Sequence, residues 1–256
     1  MKIAKNIKQY YKLRKELGNK KVGFVATMGA LHIGHASLIK QSTNECEMTV
    51  LSIFINKTQF NNQSDLDNYP NTLDKDLQLA EDLGVDLVFV PDYKEMFADN
   101  YRYQLNENEV SKRLCGKARE GHFNGVLTVV MKLLNIVKPN RAYFGKKDYQ
   151  QFRLIDGMVK AFFMDMEMVA CDTVREQDGL AYSSRNILLT EDDRKLAPQL
   201  HQLITSEQSD VKVYGQLQKM GFVVDYVETI DDRRYAAASL GKVRLIDNVE
   251  KEKVAL

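Results

Sequence analysis

The sequence predicts an α/β fold: a parallel sheet with helices on both faces, followed by a small α+β unit. Three observations predict it. Over the first two thirds of the chain, short β-rich runs alternate with longer amphipathic stretches. The short runs are apolar on both faces, as strands covered from both sides must be. After about residue 186 the texture changes, and two helical patterns give way to short strands. Together these features describe a Rossmann-like sheet spanning residues 1–175 and a C-terminal lid-sized unit spanning 176–256.

The elements follow in chain order. Residues 22–28 read as a buried strand and 35–46 as a helix. Residues 49–56 form the next strand, and 73–84 a helix that stops at Gly84. Residues 85–91 are again a strand, closed by Pro91. Residues 123–139 have helix length, with apolar side chains recurring at Val126, Val130, Leu133, Leu134 and Val137. A short strand at 142–145, a helix at 148–163 and a strand at 166–174 complete the sheet. Beyond it, Thr190 is an N-cap followed by acidic residues, so a helix starts there and runs to 204. A second helix over 211–221 precedes strands near 222–231, 235–240 and 243–249.

Composition narrows the function classes. The chain has 256 residues, 44% hydrophobic and 28% charged, which is enough for a sizeable core. A net charge of +1 points to neither a nucleic-acid partner nor a membrane surface. No apolar run approaches the ~20 residues that span a bilayer. The first eighteen residues are charged throughout and lack a signal-peptide core, so a cytoplasmic location is expected. Cys46, Cys115 and Cys171 are odd in number and far apart, as reduced thiols without metal-like spacing.

In a parallel sheet, ligands bind at the carboxyl ends of the strands. Four polar clusters follow predicted strands and would converge there: TMGALHIGH (27–35), NKTQF (56–60), GKKDYQQ (145–151) and VREQDGLAYSSRN (174–186). The first could be chance, a structural turn or the phosphate-handling end of a nucleotide site. Its glycines allow close backbone approach, and a helix N-terminus attracts phosphate. His32 and His35 would then donate hydrogen bonds to phosphate oxygens. Lys146, Lys147 and Asp148 occupy another strand-to-helix turn, where a lysine suits a triphosphate or is merely solvated. Ser183, Ser184 and Arg185 offer two hydroxyls and a guanidinium, or form a polar linker. Gln59, Gln150 and Gln151 are amides suited to hydroxyls and a carboxylate. Asp74 and Asp76 begin a helix, where they support its dipole or touch magnesium. The P-loop and strand-linked G-x-G-x-x-G patterns are both absent.

The motifs TMGALHIGH, SIFINKTQF, YPNTLDKD, REGHFNGVLTVVMKLLNIVKP, FGKKDYQQ, TVREQDGLAYSSRN and VRLIDN together resemble the pantoate–β-alanine ligase (pantothenate synthetase) family, from residue 27 to 248. His-x-Gly-His alone is shared with class I aminoacyl-tRNA synthetases and small nucleotidylyltransferases. The resemblance implies an ATP-dependent enzyme that activates pantoate as an acyl adenylate and passes it to β-alanine. It implies ATP contacts from Met28, Gly29, Ala30, Leu31, His32, Ile33, Gly34 and His35, and from Gly145, Lys146, Lys147 and Asp148. Val174, Tyr182, Ser183, Ser184 and Arg185 join them by the same similarity. His35 matches the family's catalytic proton donor, with His32 and Lys147 on the phosphates. Gln59 and Gln151 match pantoate-binding amides, and Asp76 a magnesium ligand. Val126, Val129 and Val130 offer a wall for pantoate's two methyl groups, or are simply core. A homodimer is implied, with no nucleic-acid or membrane partner.

The chain departs from the family pattern at several positions. Ala26, Lys57 and Glu120 replace prolines, Asn71 and Asn124 replace arginines, and Tyr182 stands where methionine is common. The lost prolines predict looser loops, and the lost arginines a different ordering of the loop over the ligands. The competing readings are another His-x-Gly-His adenylyl-transferring enzyme and a non-catalytic nucleotide-binding protein.

Overall fold

The computed structural model describes residues 1–16, 18–61, 66–67 and 69–251. Its larger sheet has six strands: β1 (Lys2–Ala4), β2 (Val22–Thr27), β3 (Met48–Ile53), β4 (Leu87–Phe89), β5 (Arg141–Gly145) and β6 (Glu167–Cys171). Their order is β1-β4-β3-β2-β5-β6, and every pairing is parallel. From β2 the chain winds outward through β3 to β4, then returns to place β5 on the other side of β2. That reversal leaves a crevice beyond the carboxyl ends of β2 and β5, where doubly wound sheets bind ligands.

The alternating side chains of these strands serve two cores. Phe24, Val50, Phe89 and Phe144 face one layer with α1 (Ile7–Glu16), α6 (His122–Val137) and α7 (Tyr149–Ala161). Val25, Leu51, Val88 and Tyr143 face the other with α2 (Ile33–Glu45) and α3 (Leu73–Asp82). The five apolar positions expected on one face of α6 are all buried. Each contributes about 1.5–3 kcal/mol on full burial.

Several elements were not read from the sequence, and one expected helix is divided. The charged N-terminal segment is part of the sheet layer: β1 lies at its edge, and Tyr10 of α1 packs 5.1 Å from the Phe89 ring. Two short helices, α4 (Tyr93–Met96) and α5 (Leu114–Ala118), have too few residues to show periodicity. The helix expected over 190–204 starts at its Thr190 cap, whose side chain accepts from Asp193 N at 3.2 Å. It then divides into α8 (Glu191–Leu196) and α9 (Pro198–Thr205). Pro198 has no N–H to extend the first helix, but its fixed φ suits the first position of the next.

The second sheet is antiparallel, β7 (Val223–Ile230), β8 (Arg233–Leu240) and β9 (Val243–Glu250). Ala236, Ala238 and Leu245 pack with α9 and α10 (Asp210–Lys219), while Tyr235 and Ala237 join the core of the larger layer. Val224 and Tyr226 share a parity yet serve opposite faces. A register shift between them makes this possible. The small sheet is therefore buried on both sides, and one side looks onto the turn after β5.

Candidate active site

The four polar clusters line one cavity of about 270 Å³ at the β2/β5 reversal. Its floor is set by the geometry of residues 27–35. His32 is the N-cap of α2: its Nδ1 accepts from Gly34 N at 3.1 Å, and His35 Nδ1 accepts from His32 N at 3.3 Å. This is a capping box made of imidazoles. A Cβ on Gly34 would meet the His32 ring at 2.8 Å, so any larger residue there would displace that ring.

The two bonds decide the chemistry of both rings. Each Nδ1 accepts a backbone N–H, so each proton sits on Nε2. The rings are 4.1 Å apart and both line the cavity. Burial, then the nearby Lys147 charge, pushes His32 down to about 4. Burial, then His32 and Lys147, pushes His35 down to about 3. Both are neutral hydrogen-bond donors at pH 7. Without a bound phosphate, then, each ring has a single ring proton, on Nε2, to offer a ligand oxygen.

Ahead of the histidines, Ala30 adopts φ +51°, a strained conformation for alanine. Asp76 holds it there. Its carboxylate accepts from Ala30 N at 2.9 Å, Leu31 N at 2.7 Å and Thr72 Oγ1 at 3.1 Å, and the residue is buried. This placement makes Asp76 a brace for the loop, its carboxylate already accepting three hydrogen bonds. Among the described residues, no group of three His, Cys, Asp or Glu is arranged to hold one.

The predicted residues divide into two sets. Met28, Gly34, Gly145, Lys147, Asp148 and Val174 line the cavity. So do Tyr182, Ser183, Ser184 and Arg185. Gly29, Ala30, Leu31, Ile33 and Lys146 do not: they shape the turns beneath it. Ile33 is exposed, and Lys146 Nζ pairs with Asp172 at 2.7 Å. Tyr182 lies alongside His32, ring centroids 6.3 Å apart. Arg185 sits 5.6 Å from the Tyr69 ring, with Ser183 Oγ accepting from its backbone N–H. Lys147 is 3.7 Å from Asp148.

The opposite wall is α6 and the 3-10 turn Lys57–Gln59. Val126, Val129 and Val130 line the cavity and belong to the core at once. Gln59 and Gln151 also reach it. Gln150 points away: it is buried, accepting from Cys115 N and donating to the Val110 and Arg113 carbonyls. Gly125 permits the close approach of helix and turn, since a Cβ there would meet Thr58 O at 2.5 Å. Lys57, one of the departures, reaches over the Tyr93 ring at 5.3 Å.

Sequence reasoning missed three residues of this wall. Asn56, buried, donates to Gln59 Oε1 at 3.0 Å and to Gly125 O at 3.1 Å. His122 Nδ1 donates to Gln59 O at 2.8 Å, and Arg119 donates to the same carbonyl at 3.1 Å. Burial, then Arg119, pushes His122 down to about 4, so it too is neutral. One signal was available: the chain has four histidines, and three line this cavity.

The family model for pantoate-beta-alanine ligase matches residues 2–250. A pantothenate synthetase of Bdellovibrio bacteriovorus is 55% identical over 93% of this chain and 94% of the relative. One from Legionella pneumophila is 49% identical over 97% and 99%. Among solved structures, the pantoate-beta-alanine ligase of Francisella tularensis, complexed with beta-gamma ATP and beta-alanine, superposes with a TM-score of 0.93. It is 43% identical, over 98% of both chains. The pantothenate synthetase of Thermus thermophilus follows at 0.90, with 35% identity over 98% of this chain and 99% of that one.

Proposed function

The chain belongs to the pantoate-β-alanine ligase family, and from that premise we propose how its cleft carries out the family's reaction. The enzyme condenses pantoate with β-alanine at the expense of ATP. The observation that carries the residue-level reading is the shared cavity: two neutral imidazoles at a helix N-terminus, Lys147 and Ser183–Arg185 all line it.

In the first step a pantoate carboxylate oxygen bonds to the α-phosphorus of ATP, and the bond to the β,γ-pyrophosphate breaks. The attack needs alignment and charge neutralisation more than proton transfer. His32 and His35 supply Nε2–H donors, pre-aimed by their Nδ1 bonds, to oxygens that gain charge. Lys147 adds a full positive charge, and Ser183, Ser184 and Arg185 grip the phosphates. In the second step the β-alanine amine attacks the acyl carbon, AMP leaves and pantothenate forms. Val126, Val129 and Val130 meet the pantoate methyl groups, while Gln59 and Gln151 take its hydroxyls and carboxylate. Gln59 also borders the β-alanine position.

Magnesium enters this reading as an ion carried on the ATP phosphates, which it commonly binds with few protein ligands. The Asp76 carboxylate does not fit it, and no step is assigned to a protein-held metal. Residues 176–256 act as a lid-like domain that keeps water from the acyl adenylate. The enzyme works as a homodimer in the cytoplasm. Its three free cysteines suit a reducing compartment. No helix among the described residues is long and apolar enough to cross a membrane.

The test is ATP–pyrophosphate exchange across a panel of carboxylic acids. Exchange should require pantoate, and AMP release should then require β-alanine. A protein that binds ATP without pantoate-dependent exchange would remove the assignment. Sedimentation would test the dimer.

A further inference from the structure

One motif of the sequence, VRLIDN, has no part in the cavity, yet it ends on a buried asparagine in the small sheet. Asn248 lies on β9, on the face that looks onto the turn after β5. Its Nδ2 donates to Lys146 O and Lys147 O, each at 2.9 Å. Its Oδ1 accepts from Arg233 Nη1 at 2.8 Å, which fixes the end of the amide that meets the turn. Its own N–H donates to Asp247 Oδ1 at 2.8 Å. Arg233 is buried too, and its guanidinium lies 4.0 Å from the centre of the Tyr149 ring. The small sheet thus grips residues 146–149 at three groups: two carbonyls and the first side chain of α7.

The turn needs this support. Neither the 3-10 turn Lys146–Asp148 nor the helix that follows has a side-chain cap. The Lys146 side chain is tied to Asp172, so only Lys147 of the pair reaches the cavity. A flexible lysine stem delivers its charge well only if its backbone is held still.

We propose that Asn248 is a positioning residue for adenylation: through the carbonyls of Lys146 and Lys147 it holds the Lys147 ammonium in register with the ATP phosphates. The proposal rests on the role given to Lys147 above. It also makes the small sheet part of the adenylating apparatus, beyond any covering role.

The test is a double-mutant cycle read by pantoate-dependent pyrophosphate exchange, using N248A, K147A and both together. N248A should lower the exchange kcat by roughly 10–100-fold, the scale of a misplacement near 1 Å, with the pantoate KM little changed. In the K147A background the same change should have less than about a twofold effect. If N248A is poorly folded by its thermal transition, N248D takes its place. It keeps an oxygen for Arg233 and loses both donors to the turn. Full loss from the Asn248 substitution in the K147A background, or no loss in the wild-type background, overturns the proposal. If K147A alone leaves exchange intact, the reading of Lys147 falls first, and the two failures are thereby distinguished.

Discussion

The two walls of the cleft are built in different ways. On the phosphate side, the bonds that aim His32 and His35 run between residues two and three apart in sequence. On the acid side, Gln59 is held by Asn56, three residues away, but also by Met28, Arg119 and His122, which are 31, 60 and 63 residues away. The first wall is a local motif: strand end, glycine turn and helix N-terminus arrange it almost alone. The second exists only when α6 is docked against the Lys57–Gln59 turn. The first wall should thus lose function by loss of its own groups, and the second by loss of contacts remote from the substrate.

The largest expected effect breaks the local wall. His35→Ala removes one pre-aimed donor and should lower adenylation by roughly 10²–10³-fold with the fold retained. Pyrophosphate exchange measures the rate, and circular dichroism the fold. An exchange rate within about threefold of wild type would mean that the ring is only a cap. Next comes the long-range brace beneath the histidine loop. Asp76→Ala frees the strained Ala30 turn and should lower exchange by roughly 10–100-fold. The concentration of Mg²⁺ needed for half-maximal rate should not change. A marked rise in that requirement would make Asp76 a metal ligand after all.

The acid wall is sharpened by a substrate-resolved measurement. Gln151→Ala should raise the pantoate KM by about tenfold, the scale of one hydrogen bond to a charged group, and leave the ATP KM nearly alone. Asn56→Ala should act the same way and more weakly, because it works through Gln59. Equal shifts for both substrates would show that the two walls are not functionally separate.

This difference in construction also explains what could be read from sequence. The alternation of apolar runs and helices placed the sheet, and the strand-end rule placed four loops at one edge. His32 and His35 are legible because their neighbours in sequence are their neighbours in space, and Lys147 and Ser183–Arg185 because they follow strands of the parallel sheet. Arg119 and His122 are not, since nothing in their local pattern announces that they converge on Gln59, and the bond that docks Asn56 against α6 runs to Gly125, 69 residues away. Gln150 and Gln151 are equivalent in sequence. Only the docking of the 110–115 segment makes the first structural and leaves the second in the cavity. Asp76 is ambiguous in sequence for a related reason: a carboxylate at a helix start suits a dipole, a metal or a distant backbone, and its bonds to Ala30 and Leu31 are tertiary.

The remaining expected effect concerns stability rather than rate, and it touches both walls together. His32 and His122 are held down to about 4 and His35 to about 3, from an ordinary value of 6.5. Folded, these rings bind fewer protons than the unfolded chain does once pH drops below 6.5. Linkage then requires stability to fall as pH goes from about 6.5 toward 4, with the His35 part continuing toward 3. Above 6.5 the three rings are neutral in both states and contribute no slope. Thermal unfolding followed across this range should show the decline, and carboxylates protonating near pH 4 add to its lower end. The triple replacement His32→Gln, His35→Gln, His122→Gln should flatten the portion between pH 6.5 and 5, where carboxylates are still ionised. An unchanged slope there would mean that the rings are protonated in the folded protein. The desolvation assigned to the phosphate-wall rings would then have to be abandoned, while the architecture of the acid wall would stand.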